Sequence, residues 1–248
     1  MTAPTGHSRF GFSSFSRRAA CPASATREDG IADTSSAAAE LGTLLHELSA
    51  LVLVGELDMA AVADRVDRRS YEQVALYVDY VLARHALMGG RLLVERRFHI
   101  PLHAELWGTS DTVLANVERG EIEVIDLKTG GGHEVHVRDA NGQVNVQLAG
   151  YLLGALHVTP GAFDTLILTV VQPRRGGIKS TMVSWDELLD LSGQLLSVIE
   201  RALAPNPPAR PGDHCTFCRA KSSCKEYEQR GLIEARDAFA EPVPAGFA

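Results

Sequence analysis

The sequence predicts an α/β fold, and two observations carry that expectation. Three strand-like stretches at residues 91–98, 106–116 and 121–128 follow one another directly, and residues 165–172 form a continuous β-branched and aliphatic run of the kind buried at the centre of a sheet. Helix-patterned stretches precede, separate and follow these strands, which is the element mix of an α/β domain. The chain has 248 residues, 45% apolar and 22% charged. That is enough for one full-sized core with additions or two small domains, and it excludes wholesale disorder, collagen-like repeats and a disulfide-dense miniprotein.

Residues 1–33 are polar and Gly/Ser-rich, with a short ordered piece expected around residues 15–27. Residues 35–54 turn Ala/Leu-rich with few breakers and predict a helix that carries His46. A second helix is signalled by Ser70 and Gln73 as a capping box, by Val74, Tyr77, Val78 and Val81 at helical spacing, and by Gly89 and Gly90 as its stop. A turn around Arg119 and Gly120 joins the second and third strands. Within the third, Val124, Asp126 and Lys128 share one face, while Ile125 and Leu127 share the other.

After a glycine loop at residues 130–132, residues 145–157 predict a helix with Gln147 and Tyr151 four apart on one face. The strand at 165–172 leads through a turn at Gly176 and Gly177 into a further strand ending at Val183. A last helix opens on a capping box from Ser184 to Glu187 and closes before Pro205. Residues 205–214 form a Pro-rich linker into a cysteine segment, and residues 241–248 are expected to fray. The expected organisation is an N-terminal segment 1–33, a core 34–204, a cysteine-rich segment 205–230 and a tail 231–248.

The charge sum is 24 basic against 31 acidic residues, a net of −7. All of it lies in residues 28–72, which hold ten acidic side chains against Arg65, Arg68 and Arg69. The remainder is balanced and carries basic clusters at Arg96–Arg97, Arg174–Arg175–Lys179 and Arg219–Lys221–Lys225, so phosphate binding is permitted. No apolar run approaches the roughly 20 residues of a membrane helix, and the N-terminus has no apolar signal core. A cytoplasmic protein without a membrane partner is expected. In that reducing compartment four cysteines point to metal or redox chemistry before disulfides.

The strongest local signal is Gly108-Thr-Ser-Asp111 followed fifteen residues later by Asp126-Leu-Lys128. Carboxylates brought together on neighbouring strands repel unless a cation sits between them, and hard oxygen ligands suit magnesium or manganese. A lysine beside such a site can orient an attacking water and stabilise charge on a phosphoryl oxygen. Read alone, Asp-x-Lys on a strand is a solvated face, and the glycines at 130–132 lack the Gly-Lys-Ser/Thr of a phosphate loop.

Taken in order, Gly42-Thr-Leu-Leu-His46, Gly108-Thr-Ser-Asp111, Ile125-Asp-Leu-Lys-Thr-Gly130 and Gln147-Leu-Ala-Gly-Tyr151 resemble the RecB-like branch of the PD-(D/E)XK nuclease superfamily. The resemblance implies a restriction-endonuclease-like core, with a central mixed sheet flanked by helices. It implies that Asp111, Asp126, the backbone carbonyl of Leu127 and His46 hold magnesium or manganese, that Lys128 positions water, and that Gln147 and Tyr151 hydrogen-bond DNA or the lysine.

The four cysteines are Cys21 and, almost two hundred residues later, Cys215-x2-Cys218-x5-Cys224. Thiolates suit zinc or an iron-sulfur centre, and four of them suit a metal knuckle better than a thioredoxin-like pair. The same one-before, three-after layout marks the iron-sulfur members of the RecB-like branch, among them AddB and the CRISPR spacer-acquisition nucleases. The resemblance therefore implies a 4Fe-4S cluster at Cys21, Cys215, Cys218 and Cys224, with structural zinc as the alternative. The segment from Arg210 to Cys224 is also similar to a phage and prophage family of unknown function. The implied activity is metal-dependent hydrolysis of DNA, at ends or on single strands, in phage DNA processing or recombination. The competing expectation is a non-catalytic, metal-stapled nucleic-acid-binding subunit of a recombination complex.

Overall fold

A computed structural model describes residues 8–32 and 36–240. Its helices, in chain order, are α1 (Phe12–Ala20), α2 (Ser24–Arg27), α3 (Ala37–Leu53), α4 (Met59–Ala63), α5 (Arg68–Met88), α6 (Val146–Val158), α7 (Trp185–Leu203) and α8 (Lys225–Ala240). The strands are β1 (Arg91–His99), β2 (Trp107–Asn116), β3 (Glu121–Leu127), β4 (Thr165–Gln172) and β5 (Gly177–Val183). The chain divides into two compact units, one of residues 1–13 with 34–194, the other of residues 14–33 with 195–248.

The first unit is a five-stranded mixed sheet in the order β1-β2-β3-β4-β5, flanked by helices. Antiparallel hairpins join β1, β2 and β3, β4 runs parallel to β3, and β5 returns antiparallel. The parallel step requires a crossover, and α6 supplies it. One sheet face packs Leu114, Ile125, Leu127 and Val171 against Leu45 and Leu48 of α3, Val62 of α4 and Val74, Tyr77, Val78 and Val81 of α5. On the same face the buried Glu123 receives Arg84 of α5 at 2.7 Å, Tyr80 at 3.0 Å and Thr169 at 2.6 Å, which satisfies a charge that would otherwise be costly to bury. The other face takes α6. Its glycines permit the approach: a Cβ on Gly154 would stand 2.5 Å from Cβ of Phe98 on β1.

Three local expectations are corrected. Helix α5 starts at Arg68, because Asp67 takes the capping role assigned to Ser70; its Oδ1 accepts from the Ser70 N–H at 3.0 Å. The ordered piece near residues 15–27 is two helices, and it begins earlier because Phe10, Phe12 and Phe15 are buried in a segment whose composition reads as polar. Helix α3 is capped by Ser36, and its expected first residue, Ser35, lies outside the described residues, as does the tail at 241–248. The capping box of α7 forms: Glu187 accepts from the Ser184 N–H at 2.8 Å while Ser184 Oγ accepts from the Glu187 N–H at 3.2 Å.

The second unit brings the N-terminal and C-terminal segments together. The Ala23 N–H donates to the Pro208 carbonyl, and Arg27 makes a two-pronged contact with Glu226 at 2.6 and 2.8 Å. Glu28, 1% exposed, pairs with Arg18 at 2.6 Å and accepts from Arg17 Nη2 at 3.3 Å and the Arg219 N–H at 3.0 Å. Burial opposes its ionisation, and the three donors overcome that and hold its carboxyl below the usual range. Among the described residues no helix is long and apolar enough to cross a membrane.

Candidate active site

The site forms where the sheet opens. The β2–β3 ladder stops at Thr112 opposite Ile125, so Asp111 and Asp126 stand at the point where the two strands part. The Leu127 N–H, left without a β2 carbonyl, donates to Asp111 Oδ2 at 2.7 Å. On its other side β3 stays clamped to β4, with Asp126 opposite Val170, Leu127 opposite Val171 and the Lys128 N–H on the Val171 carbonyl at 2.8 Å. Asp111 is thereby fixed by the backbone of the strand that carries Asp126 and Lys128.

From α3, His46 Nδ1 reaches Asp111 Oδ1 at 3.2 Å. Burial alone would lower the His46 pKa, but the Asp111 hydrogen bond and charge raise it. Beneath this pair, Tyr77 donates to Thr112 Oγ1 at 2.8 Å and so holds β2 in place beside Asp111.

On the α6 side Lys128 Nζ lies 2.7 Å from Asp126 Oδ2 and donates to Gln147 Oε1 at 3.1 Å. Gln147 Nε2 points to Asp126 Oδ1 at 3.4 Å and to the Tyr151 hydroxyl at 3.1 Å. Asn145 caps α6 by accepting from the N–H groups of Gln147 and Leu148, which sets the first turn and aims Gln147 at the lysine. Tyr151 stands edge-on to Phe12 at 5.4 Å and packs over Gly108, where a Cβ would meet its ring at 2.9 Å. Asp126 is 2% exposed; burial pushes its pKa up to about 6, against the pull of Lys128. Lys128 remains an ammonium, since Asp126 and Asp111 outweigh its own desolvation.

Every expected residue of this site is thus brought together, in two linked groups: His46 with Asp111, and Asp126 with Lys128, Gln147 and Tyr151. The Leu127 N–H joins them. Sequence reading missed one member, Glu95. Its carboxylate, His46 Nδ1 or Nε2 and an Asp111 oxygen all lie within 4.8 Å of one another. Glu95 sits on β1 at φ 46°, the one non-glycine residue with positive φ among the described residues. The turn of backbone brings Val94 and Glu95 to line one crevice of about 160 Å³ with His46, Asp111 and Leu127, although neighbouring strand residues ordinarily face opposite ways. Lost solvation, and then the Asp111 charge, raise its pKa to about 7. The available signal was the run Glu95-Arg96-Arg97, which breaks the alternation of β1.

An imidazole and two carboxylates converging in one crevice fit a divalent cation of the magnesium–manganese class, with the imidazole favouring manganese.

In the second unit Cys21, Cys215, Cys218 and Cys224 line one pocket, together with Arg27, Arg210, His214 and Lys221. All four are free thiols. The Arg210 N–H donates to Cys21 Sγ at 3.4 Å, the Gly212 N–H to Cys215 Sγ at 3.4 Å and Arg27 Nη1 to Cys224 Sγ at 3.3 Å. Burial pushes the Cys218 thiol up to about 11. Among the described residues no three cysteine sulfurs lie within 4.8 Å of one another.

Fold and site together define an α/β protein with a carboxylate-and-lysine centre at the parting of two sheet strands. The chain belongs to the family described as "Protein of unknown function (DUF2800)", whose profile matches residues 7–244. In three dimensions it is similar to a solved structure described as "Putative exonuclease" from Eubacterium rectale, with a TM-score of 0.52 and 12% identity over 84% of this chain and 86% of that one. A second solved structure, SSO0001, gives a TM-score of 0.34 and 16% identity over 76% of this chain and 97% of that one. At 12% identity the likeness to the first of these is one of fold.

Proposed function

We propose that this chain is a metal-dependent deoxyribonuclease, acting as an exonuclease, that hydrolyses phosphodiester bonds through Asp111, Asp126 and Lys128. The observation that carries the reading is the Lys128 ammonium held between Asp126 and Gln147, one strand away from the cation-binding donors of His46, Glu95 and Asp111. The Eubacterium rectale neighbour, which bears a provisional exonuclease name, supports it.

His46, Glu95, Asp111 and Asp126 would hold magnesium or manganese, with the Leu127 carbonyl as a further oxygen donor. When bound, the cation supplies Lewis-acid activation of water and neutralises charge at the scissile phosphate. Lys128, whose ammonium form Asp126 and Asp111 favour, would orient the water and donate to a phosphoryl oxygen as charge develops there. Gln147 fixes the ammonium, and Tyr151 fixes Gln147. The water oxygen bonds to phosphorus as the ester P–O bond breaks, leaving a phosphate end and a hydroxyl end, with no covalent enzyme intermediate.

The cysteines would hold a 4Fe-4S cluster. Four thiolates suit either a 4Fe-4S cluster or a structural zinc, and the cluster is favoured by the resemblance of the one-before, three-after cysteine layout to iron-sulfur nucleases. Three donors on the sulfurs match the hydrogen bonding that thiolate clusters receive. A role in phage DNA processing or recombination fits such an enzyme.

Anaerobically purified protein incubated with end-labelled single- and double-stranded DNA tests the reading. Cleavage in manganese or magnesium, abolished by EDTA and by Lys128→Ala, is expected. Absence of cleavage in every metal, or a Lys128→Ala rate near the parent's, would overturn it.

A further inference from the structure

Strands β1 and β2 carry an aromatic–guanidinium pair that the hydrolytic centre does not use. Arg97 Cζ lies 4.4 Å from the centroid of the Trp107 ring. The ladder sets Arg97 opposite Thr109 and His99 opposite Trp107, so the pair stands two residues from Glu95 on one strand and four from Asp111 on the other. Four strand residues span about 13 Å. Gly108 is turned toward Phe12 and Tyr151, so Trp107 projects from the opposite face, the one on which Asp111 meets His46.

Strand β1 is the edge of the sheet, and charged residues on an edge deter pairing with another chain. That role accounts for Arg96 and Arg97 but not for a half-exposed indole under one of them. A guanidinium laid on an indole is a planar cation of the kind on which nucleobases stack. Bases inside a duplex are stacked on one another and closed to such a platform. An unpaired strand is open to it.

We propose that Arg97 and Trp107 form a base-stacking subsite that makes single-stranded DNA the substrate and leads it toward Asp111 and Lys128; this rests on the nuclease reading above. The gap to Asp111 is on the order of four stacked nucleotides at 3.4 Å each.

The test separates bases from phosphates. The chain has two tryptophans, Trp107 and Trp185. In full-length Trp185→Phe/Lys128→Ala protein, purified anaerobically, Trp107 is the sole indole reporter and hydrolysis is expected to be blocked. Titration with oligo(dT) is expected to quench its fluorescence and to bind roughly tenfold more tightly than an abasic oligonucleotide of equal length, about 1.4 kcal/mol. In protein retaining Lys128→Ala, Trp107→Ala, followed by fluorescence anisotropy of labelled DNA, should erase that tenfold difference and leave abasic binding unchanged, and Trp107→Phe should restore it. Equal affinity for oligo(dT) and abasic DNA, or preference for blunt duplex, would overturn the subsite while leaving metal-dependent cleavage intact. Stacking without cleavage by the parent protein would keep the subsite and remove the nuclease reading.

Discussion

Glu95 combines a strained backbone with a carboxylate that reaches the crevice of His46 and Asp111. A non-glycine residue in the left-handed region costs on the order of 1–2 kcal/mol, and such residues persist where the surrounding structure needs their side chain somewhere unusual. Glu95→Gly should therefore hold or raise the melting temperature, since relief of strain offsets the entropy that glycine adds to the unfolded chain, while cleavage falls at least tenfold. A fall of several degrees in a thermal melt, with activity retained, would show Glu95 to be structural instead. Asp126→Ala should abolish cleavage for a different reason. It removes an anion that burial already holds near a pKa of about 6, and it leaves Lys128 without its closest counter-charge. His46, Asp111, Asp126, Lys128, Gln147 and Tyr151 were legible as a candidate set because their short motifs, taken in order, resemble those of a nuclease branch and lie on elements whose periodicity is plain. Glu95 was not, because its position depends on one backbone dihedral that no spacing rule encodes.

At the scale of elements, α6 decides whether Gln147 and Tyr151 reach the lysine. It meets β1 through Gly154 against Phe98 and α1 through Gly150 against Phe12, at separations that leave no room for a side chain. Gly154→Val should cost about 1–3 kcal/mol by overpacking, lowering the melting temperature by several degrees. It should also weaken cleavage by displacing α6 from Lys128, as measured on protein that still melts cooperatively. Unchanged stability would mean that α6 sits farther from β1. Strands β1 to β5 and helices α6 and α7 were readable from alternation, β-branched runs and capping residues. The start of α5 was misplaced by three residues because Asp67 and Ser70 are both competent caps, and only the geometry shows which carboxylate or hydroxyl meets the first exposed N–H groups. Helices α1 and α2 were half-hidden, since Phe10, Phe12 and Phe15 lie among polar residues without a clear period.

At the scale of the whole molecule, the second unit is assembled from segments about 180 residues apart in sequence, and cysteine count was the only linear trace of that closure. Among the described residues its protein-only ties include the Ala23–Pro208 backbone hydrogen bond, the buried Glu28 with its arginines and an exposed Arg27–Glu226 pair, and an exposed pair contributes little. A cluster shared by Cys21, Cys215, Cys218 and Cys224 would add its binding free energy to the folding of both segments. Cross-linking so long a loop is worth at most about 5 kcal/mol of chain entropy. Cys21→Ser should then lower the melting temperature and solubility, and it should remove the broad absorbance near about 400 nm that thiolate-bound iron gives. His46, Asp111, Asp126 and Lys128 all belong to the other unit, so cleavage per folded molecule should fall far less than in Lys128→Ala. Iron and zinc content measured beside the melts separates the alternatives. Colourless anaerobic protein with one tightly bound zinc would replace the cluster and keep the staple, whereas a Cys21→Ser variant with full metal content and parental stability would remove the staple itself.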